Sequence, residues 1–162
     1  KGRALDAIFH FTSGDEAPFS MWAEGWRPGV KSQKVTWTRS GTAGASHEAY
    51  RAWLDTVFLY AGTLSLDREL TPVKASAMLE IGDVFLEAGS PGHAVIVVDM
   101  AVDPKTGKRA FLLVQSYMPA QEMHVLKSPD DSSPWYHADF GESLKTPEWT
   151  FQSKHLKRFP SP

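Results

Sequence analysis

Cysteine is absent from the 162 residues, and that absence removes a disulfide framework, a thiolate metal site and a thiol nucleophile at once. A surplus of basic charge is missing as well. Lys and Arg number 17 against 19 Asp and Glu, for a net charge of −2, so the positive footprint of a nucleic-acid binder is not there and no nucleic-acid partner is expected. No apolar run approaches the roughly 20 residues that cross a bilayer, so no transmembrane segment is expected and the chain as given reads as soluble. Gly41 to Ser46 is glycine-rich but carries no lysine and does not join a strand to a helix at the spacing of a phosphate loop, which sets nucleotide hydrolysis aside. No internal repeat is visible. The chain opens on Lys1, as a processed form lacking an N-terminal part would, and a removed export signal would leave no trace.

What is present suits one globular domain over residues 1–162, long enough to bury a core without staples. The composition is 42% hydrophobic and 22% charged, with six Trp and nine Phe. Rings in that number belong in a core or a groove.

Ala7 to Thr12 (AIFHFT) reads as a strand closed by the turn Ser13-Gly14-Asp15, and Lys34 to Arg39 (KVTWTR) alternates as a half-buried strand. Phe19, Trp22 and Trp26 recur at helical spacing, which predicts a short helix ending near Gly25. The clearest helix spans His47 to Ala61, where Tyr50, Trp53, Leu54, Val57 and Phe58 fall at i, i+3, i+4, i+7 and i+8, with Ser46 placed as N-cap and Gly62 as left-handed C-terminal residue. Leu66 to Met78 is linker-like or weakly helical. Ile81 to Leu86 begins a β half that continues with His93 to Met100, an apolar run suited to a strand covered on both faces, then Ala110 to Tyr117 and a third strand at Met123 to Leu126. Asp103-Pro104-Lys105-Thr106-Gly107 is the hairpin turn between the two long strands. The tail from Lys127, rich in Pro, Ser and Asp, is expected to wrap the surface. The expected class is α+β, with the central helix packed by its aromatic stripe on an antiparallel sheet.

Counting outward from the turn, His93 comes opposite Tyr117 and Val95 opposite Gln115, so His93, Gln115 and Tyr117 share one sheet face unless a bulge intervenes. An imidazole works as a base only when its other nitrogen is held, and a glutamine carbonyl can hold it. Gly82-Asp83-Val84-Phe85, His93-Ala94-Val95-Ile96-Val97 and Gln115 together resemble the NlpC-type branch of the papain-like hydrolases: a Gly-Asp turn into a strand, a histidine opening the next, and a polar orienter on the one after. The nucleophile's place in that pattern falls at Ser46. A serine there needs stronger activation than a Cys–His pair supplies.

A longer resemblance is to the DUF4846 family, a bacterial domain of unknown function. It is carried by Tyr60-Ala61-Gly62-Thr63, Gly82-Asp83-Val84-Phe85, Ser90-Pro91-Gly92-His93-Ala94-Val95, Gln115-Ser116-Tyr117-Met118-Pro119-Ala120-Gln121, His124-Val125-Leu126, Ser133-Pro134-Trp135-Tyr136 and Thr146-Pro147-Glu148-Trp149. These resemblances imply a papain-like, NlpC-like fold and an exported or periplasmic cell-envelope domain. They further imply a non-catalytic binder of a peptide or peptidoglycan-like ligand in a groove near His93, with Tyr117, Gln121, His124 and Asp83 as ligand-binding residues. The alternative is a hydrolase using Ser46, His93 and Gln115, or a histidine-bound metal.

Simpler roles stand beside these. Ser46 is explained by capping alone, Gln121 by satisfying loop backbone, and Trp22, Trp26, Trp53, Trp135 and Trp149 by the core, although tail aromatics could line a groove. A zinc site joining His93 and His124 with Asp83 or Asp99 lacks local ligand spacing. No metal or other cofactor is expected.

Overall fold

The structure is a computed structural model and describes residues 3–74, 76–117, 121–130 and 133–160. It is a mixed α+β chain in which every strand pairing among the described residues is antiparallel. The chain divides into two compact units, Lys1–Glu69 and Leu70–Pro162. No helix among the described residues is long and apolar enough to cross a membrane.

The first unit contains β1 (Ile8–His10), β2 (Glu16–Pro18), α1 (Phe19–Ala23), β3 (Trp26–Lys31), β4 (Lys34–Arg39), α2 (His47–Tyr60) and α3 (Thr63–Glu69). The helical stripe of α2 is real but narrower than its pattern. Trp53 and Val57 are buried, whereas Phe58 is 66% exposed. Trp53 and Val57 pack in a cluster with Phe11, Ala17, Phe19 and Trp22 of the same unit. The Trp53 indole N–H donates to the Ala17 carbonyl at 3.1 Å, which fastens the helix to β2. Ser46 caps α2, its hydroxyl accepting from the Ala49 N–H at 3.2 Å. Glu48, in the first turn, is held below the usual carboxylate range by its backbone hydrogen bond and then by the Ser46 hydroxyl. That support is present above the ordinary carboxylate pKa and fades as pH falls through the lowered value. Gly62 is not left-handed. The helix leaves through an extended Ala61, and the Gly62 N–H is taken by the Ser65 hydroxyl at 3.0 Å, so this glycine leads into α3, which runs into the stretch from Leu66 read as linker-like or weakly helical.

The second unit holds β5 (Thr71–Pro72), β6 (Val84–Glu87), β7 (His93–Val102), β8 (Arg109–Gln115), β9 (His124–Val125), β10 (Trp135–His137), β11 (Ser143–Lys145), β12 (Thr150–Gln152) and β13 (Leu156–Arg158). Its seven-stranded sheet runs β10-β8-β7-β6-β13-β5, with β9 beside the far end of β8. In β7 the side chains of His93, Val95 and Val97 are buried while Ala94 and Ile96 are only half-buried and Val98 is exposed. The apolar run is thus covered on one face rather than two. Much of the cover comes from the segment expected on the surface: Tyr136, Leu144, Phe151 and Leu156 join Leu126, Phe85, Val95, Val97, Phe111 and Leu113 in one core. Each short C-terminal strand contributes one buried residue amid polar ones, so a composition average reads as loop while alternation buries the face. The Tyr136 hydroxyl donates to the Lys127 carbonyl at 2.9 Å, and its burial raises its pKa well above the ordinary phenol value.

β13 is anchored by an ion pair. Asp83, 1% exposed, accepts from Arg158 Nε at 2.6 Å and Nη2 at 2.9 Å, and from the Glu80 N–H at 2.8 Å. Gly82, at φ +93°, makes the turn that delivers Asp83, a conformation side chains with a Cβ resist.

Two stability experiments follow from these contacts. Arg158→Ala strands the buried Asp83 carboxylate and should cost about 3 kcal/mol in urea unfolding, with Arg158→Lys recovering only part because it cannot bind bidentately. Ser46→Ala should cost about 1 kcal/mol; a loss under about 0.3 kcal/mol would show that the hydroxyl does not cap the helix.

Candidate functional site

The site begins with register. β7 and β8 pair Ile96 with Val114 and Val97 with Leu113, then slip by one residue at a bulge between Val97 and Asp99 before continuing to the turn. The bulge lies on the turn side of the site. Beyond it the count from Ile96–Val114 carries Gln115 and His93 onto the same buried face, diagonal to each other. Their side chains meet: His93 Nε2 lies 2.6 Å from Gln115 Oε1.

The contact continues outward. Gln115, itself 2% exposed, donates through its amide nitrogen to Glu148 Oε2 at 2.8 Å, giving a chain of imidazole, amide and carboxylate. Charge-assisted bonds of that length are the stronger sort. The His93 ring, 9% exposed, is packed among aromatic rings: edge to face on Tyr117 at 5.2 Å, tilted against Trp149 at 5.4 Å and stacked on Phe151 at 6.0 Å. The Trp149 indole N–H donates to Glu87 Oε2 at 2.9 Å, and Thr146 clasps the backbone of Trp149, its N–H donating to the Trp149 carbonyl at 2.7 Å. The orientation of the indole is therefore set from two sides.

These residues border a cleft of about 450 Å³ lined by Pro91, Gly92, His93, Ser116, Tyr117, Gln121 and Trp149. The two loops that end at this rim are Ser90-Pro91-Gly92 and the one leaving Tyr117. The Gln121 N–H returns to the Tyr117 carbonyl at 3.0 Å. Met118, Pro119 and Ala120 lie outside the described residues.

Of the residues singled out from sequence, His93, Gln115, Tyr117 and Gln121 come together here. Asp83 does not join them, because its carboxylate is consumed by Arg158 and the Glu80 N–H. His124 is exposed on β9, its ring Nδ1 donating to the Glu122 carbonyl at 3.0 Å, and it is not among the lining residues. Ser46 belongs to the first unit, where it is exposed and caps α2. Asp99 accepts from the Met100 N–H in the exposed part of β7. The zinc set of His93, His124 and an aspartate is thus not assembled, and no group of three or more His, Asp or Glu among the described residues is placed to hold a metal. The sequence offered no role for Glu148, Glu87 or Ser116. Ser116 did stand in the quoted run from Gln115 to Gln121, and Glu148 and Trp149 in Thr146-Pro147-Glu148-Trp149, whose Thr-Pro start is a turn signal.

The family model described as Domain of unknown function (4846) matches residues 1–158. No curated protein and no solved structure matches the chain.

The packing of His93 has a measurable consequence. His93→Ala opens a cavity between three rings and leaves Gln115 Oε1 without its donor, so it should lower stability by roughly 2 kcal/mol or more in thermal or urea unfolding. A loss near zero would mean that the imidazole is not packed as described.

Proposed function

This chain belongs to the Domain of unknown function (4846) family, and from the geometry of its second unit we propose that it is a binding domain for a peptide or peptidoglycan-like chain. The observation that carries the reading is an imidazole held at the back of a cleft by Gln115 and Glu148 and walled by Tyr117 and Trp149. Concave sites with aromatic walls and a few fixed polar groups are where flexible polymers with alternating apolar and hydrogen-bonding parts bind. The sequence of Gly-Asp turn, histidine strand and glutamine strand supports an NlpC-like core, and the exported cell-envelope setting implied by the resemblance belongs to the same proposal.

A hydrolytic reading draws on the same feature, since an imidazole held at one nitrogen can take a proton at the other. Ser46 adds no support to it, because helix capping accounts for its hydroxyl.

The test is a titration with a muramyl dipeptide and with its peptide portion alone, followed in amide and indole N–H spectra. Saturable shifts at the Trp149 indole and at Tyr117 and Gln121 are expected, and Tyr117→Ala should weaken binding about tenfold, some 1.4 kcal/mol. Absence of saturable shifts for both compounds overturns the binding reading, and release of free amine during the titration would establish the hydrolytic one.

A further inference from the structure

We infer that Glu148 decides, through Gln115, which nitrogen of His93 carries the proton, and so makes the cleft a site for a ligand group that donates a hydrogen bond. This deepens the binding reading and rests on it for the ligand. The chain of hydrogen bonds starts at the surface. A carboxylate can only accept, so the Gln115 group 2.8 Å from Glu148 Oε2 must be its NH₂. The amide oxygen is thereby turned to the ring, where it sits 2.6 Å from His93 Nε2. An amide oxygen also only accepts, so Nε2 must carry a hydrogen, and in the neutral ring Nδ1 is then a bare acceptor.

No described residue hydrogen-bonds Nδ1, and the ring lines the cleft. A peptide N–H or a sugar hydroxyl finds a lone pair there. A carbonyl or carboxylate oxygen would set two acceptors against each other, which costs a desolvated polar contact. Without Glu148 nothing opposes rotation of the Gln115 amide by half a turn. Its NH₂ would then donate to Nε2 and drive the proton to Nδ1, inverting what the cleft presents. Glu148 is thus a positioning residue: it is exposed and leaves the cleft lining to others.

Long-range ¹H–¹⁵N spectra of the histidine ring nitrogens, recorded at a pH where the ring is neutral, read the proton's place directly. In the wild-type chain His93 should show a protonated Nε2 and a bare Nδ1. Glu148→Gln, whose amide can offer either end to Gln115, should divide the proton between the two nitrogens, and Glu148→Ala should do the same. Thermal unfolding of both variants confirms that the surface substitution leaves the unit folded. A bare Nε2 in the wild type, or an unchanged ring spectrum in both folded variants, overturns the inference. A titration in which muramyl dipeptide fails to bind wild-type protein would overturn the binding reading instead, while the ring spectrum continues to decide the role of Glu148.

Discussion

The pairing of β7 with β8 is the constraint on which the second unit depends. Side chains alternate along a strand, so a slip of one residue would carry His93 out of the core and leave Gln115 facing Val95 from the wrong side. The bulge between Val97 and Asp99 performs such a slip deliberately. It re-phases the strand so that Met100, opposite Phe111, packs against the core near the turn while Val95 and Val97 keep the same face toward the site. Hairpin and cleft are thereby separately accommodated by one extra residue.

The face so defined is closed from far along the chain. Leu156 and Lys157 pair with Phe85 and Val84, and Arg158 reaches Asp83 across 75 positions. Non-local contacts of this kind are costly in chain entropy until they form, and they bind the C-terminal segment into the core as a structural layer. The same segment supplies Glu148 and Trp149. Core closure and cleft construction therefore draw on one segment, since the strands that bury Leu144 and Phe151 flank the turn that holds the carboxylate and the indole.

Local periodicity made much of this legible and distance in sequence concealed the rest. Lys34–Arg39 was readable as a strand to the residue because its alternation is complete, and α2 because its cap and stripe agree. The approach of His93 to Gln115 was expected from a count about the Pro-Gly turn; that count matches the pairing on the site side of the bulge, Ile96 with Val114 and Val97 with Leu113, whereas Asp99 with Leu112 and the pairs nearer the turn are offset by one. Asp83 meets Arg158, and a Gly-Asp turn looks the same whether its carboxylate meets a ligand or an arginine, while Arg158 offered no local sign of pairing. Glu148 stood in a quoted motif but without a role, because an exposed glutamate after a proline carries no periodicity and its meaning arises only from its partner Gln115 on β8. The tail escaped because its buried residues come singly, between Pro, Ser and Asp.

Glu148 and Trp149 are consecutive, and Thr146 clamps them into one short turn through its backbone and its hydroxyl. One residue grips the amide behind the imidazole while the next forms the wall beside it. The wall of the cleft and the grip on Gln115 are thus one peptide link apart within a single clamped turn, so a substitution that reshapes the wall for a bulkier occupant is made next to the residue that holds the amide.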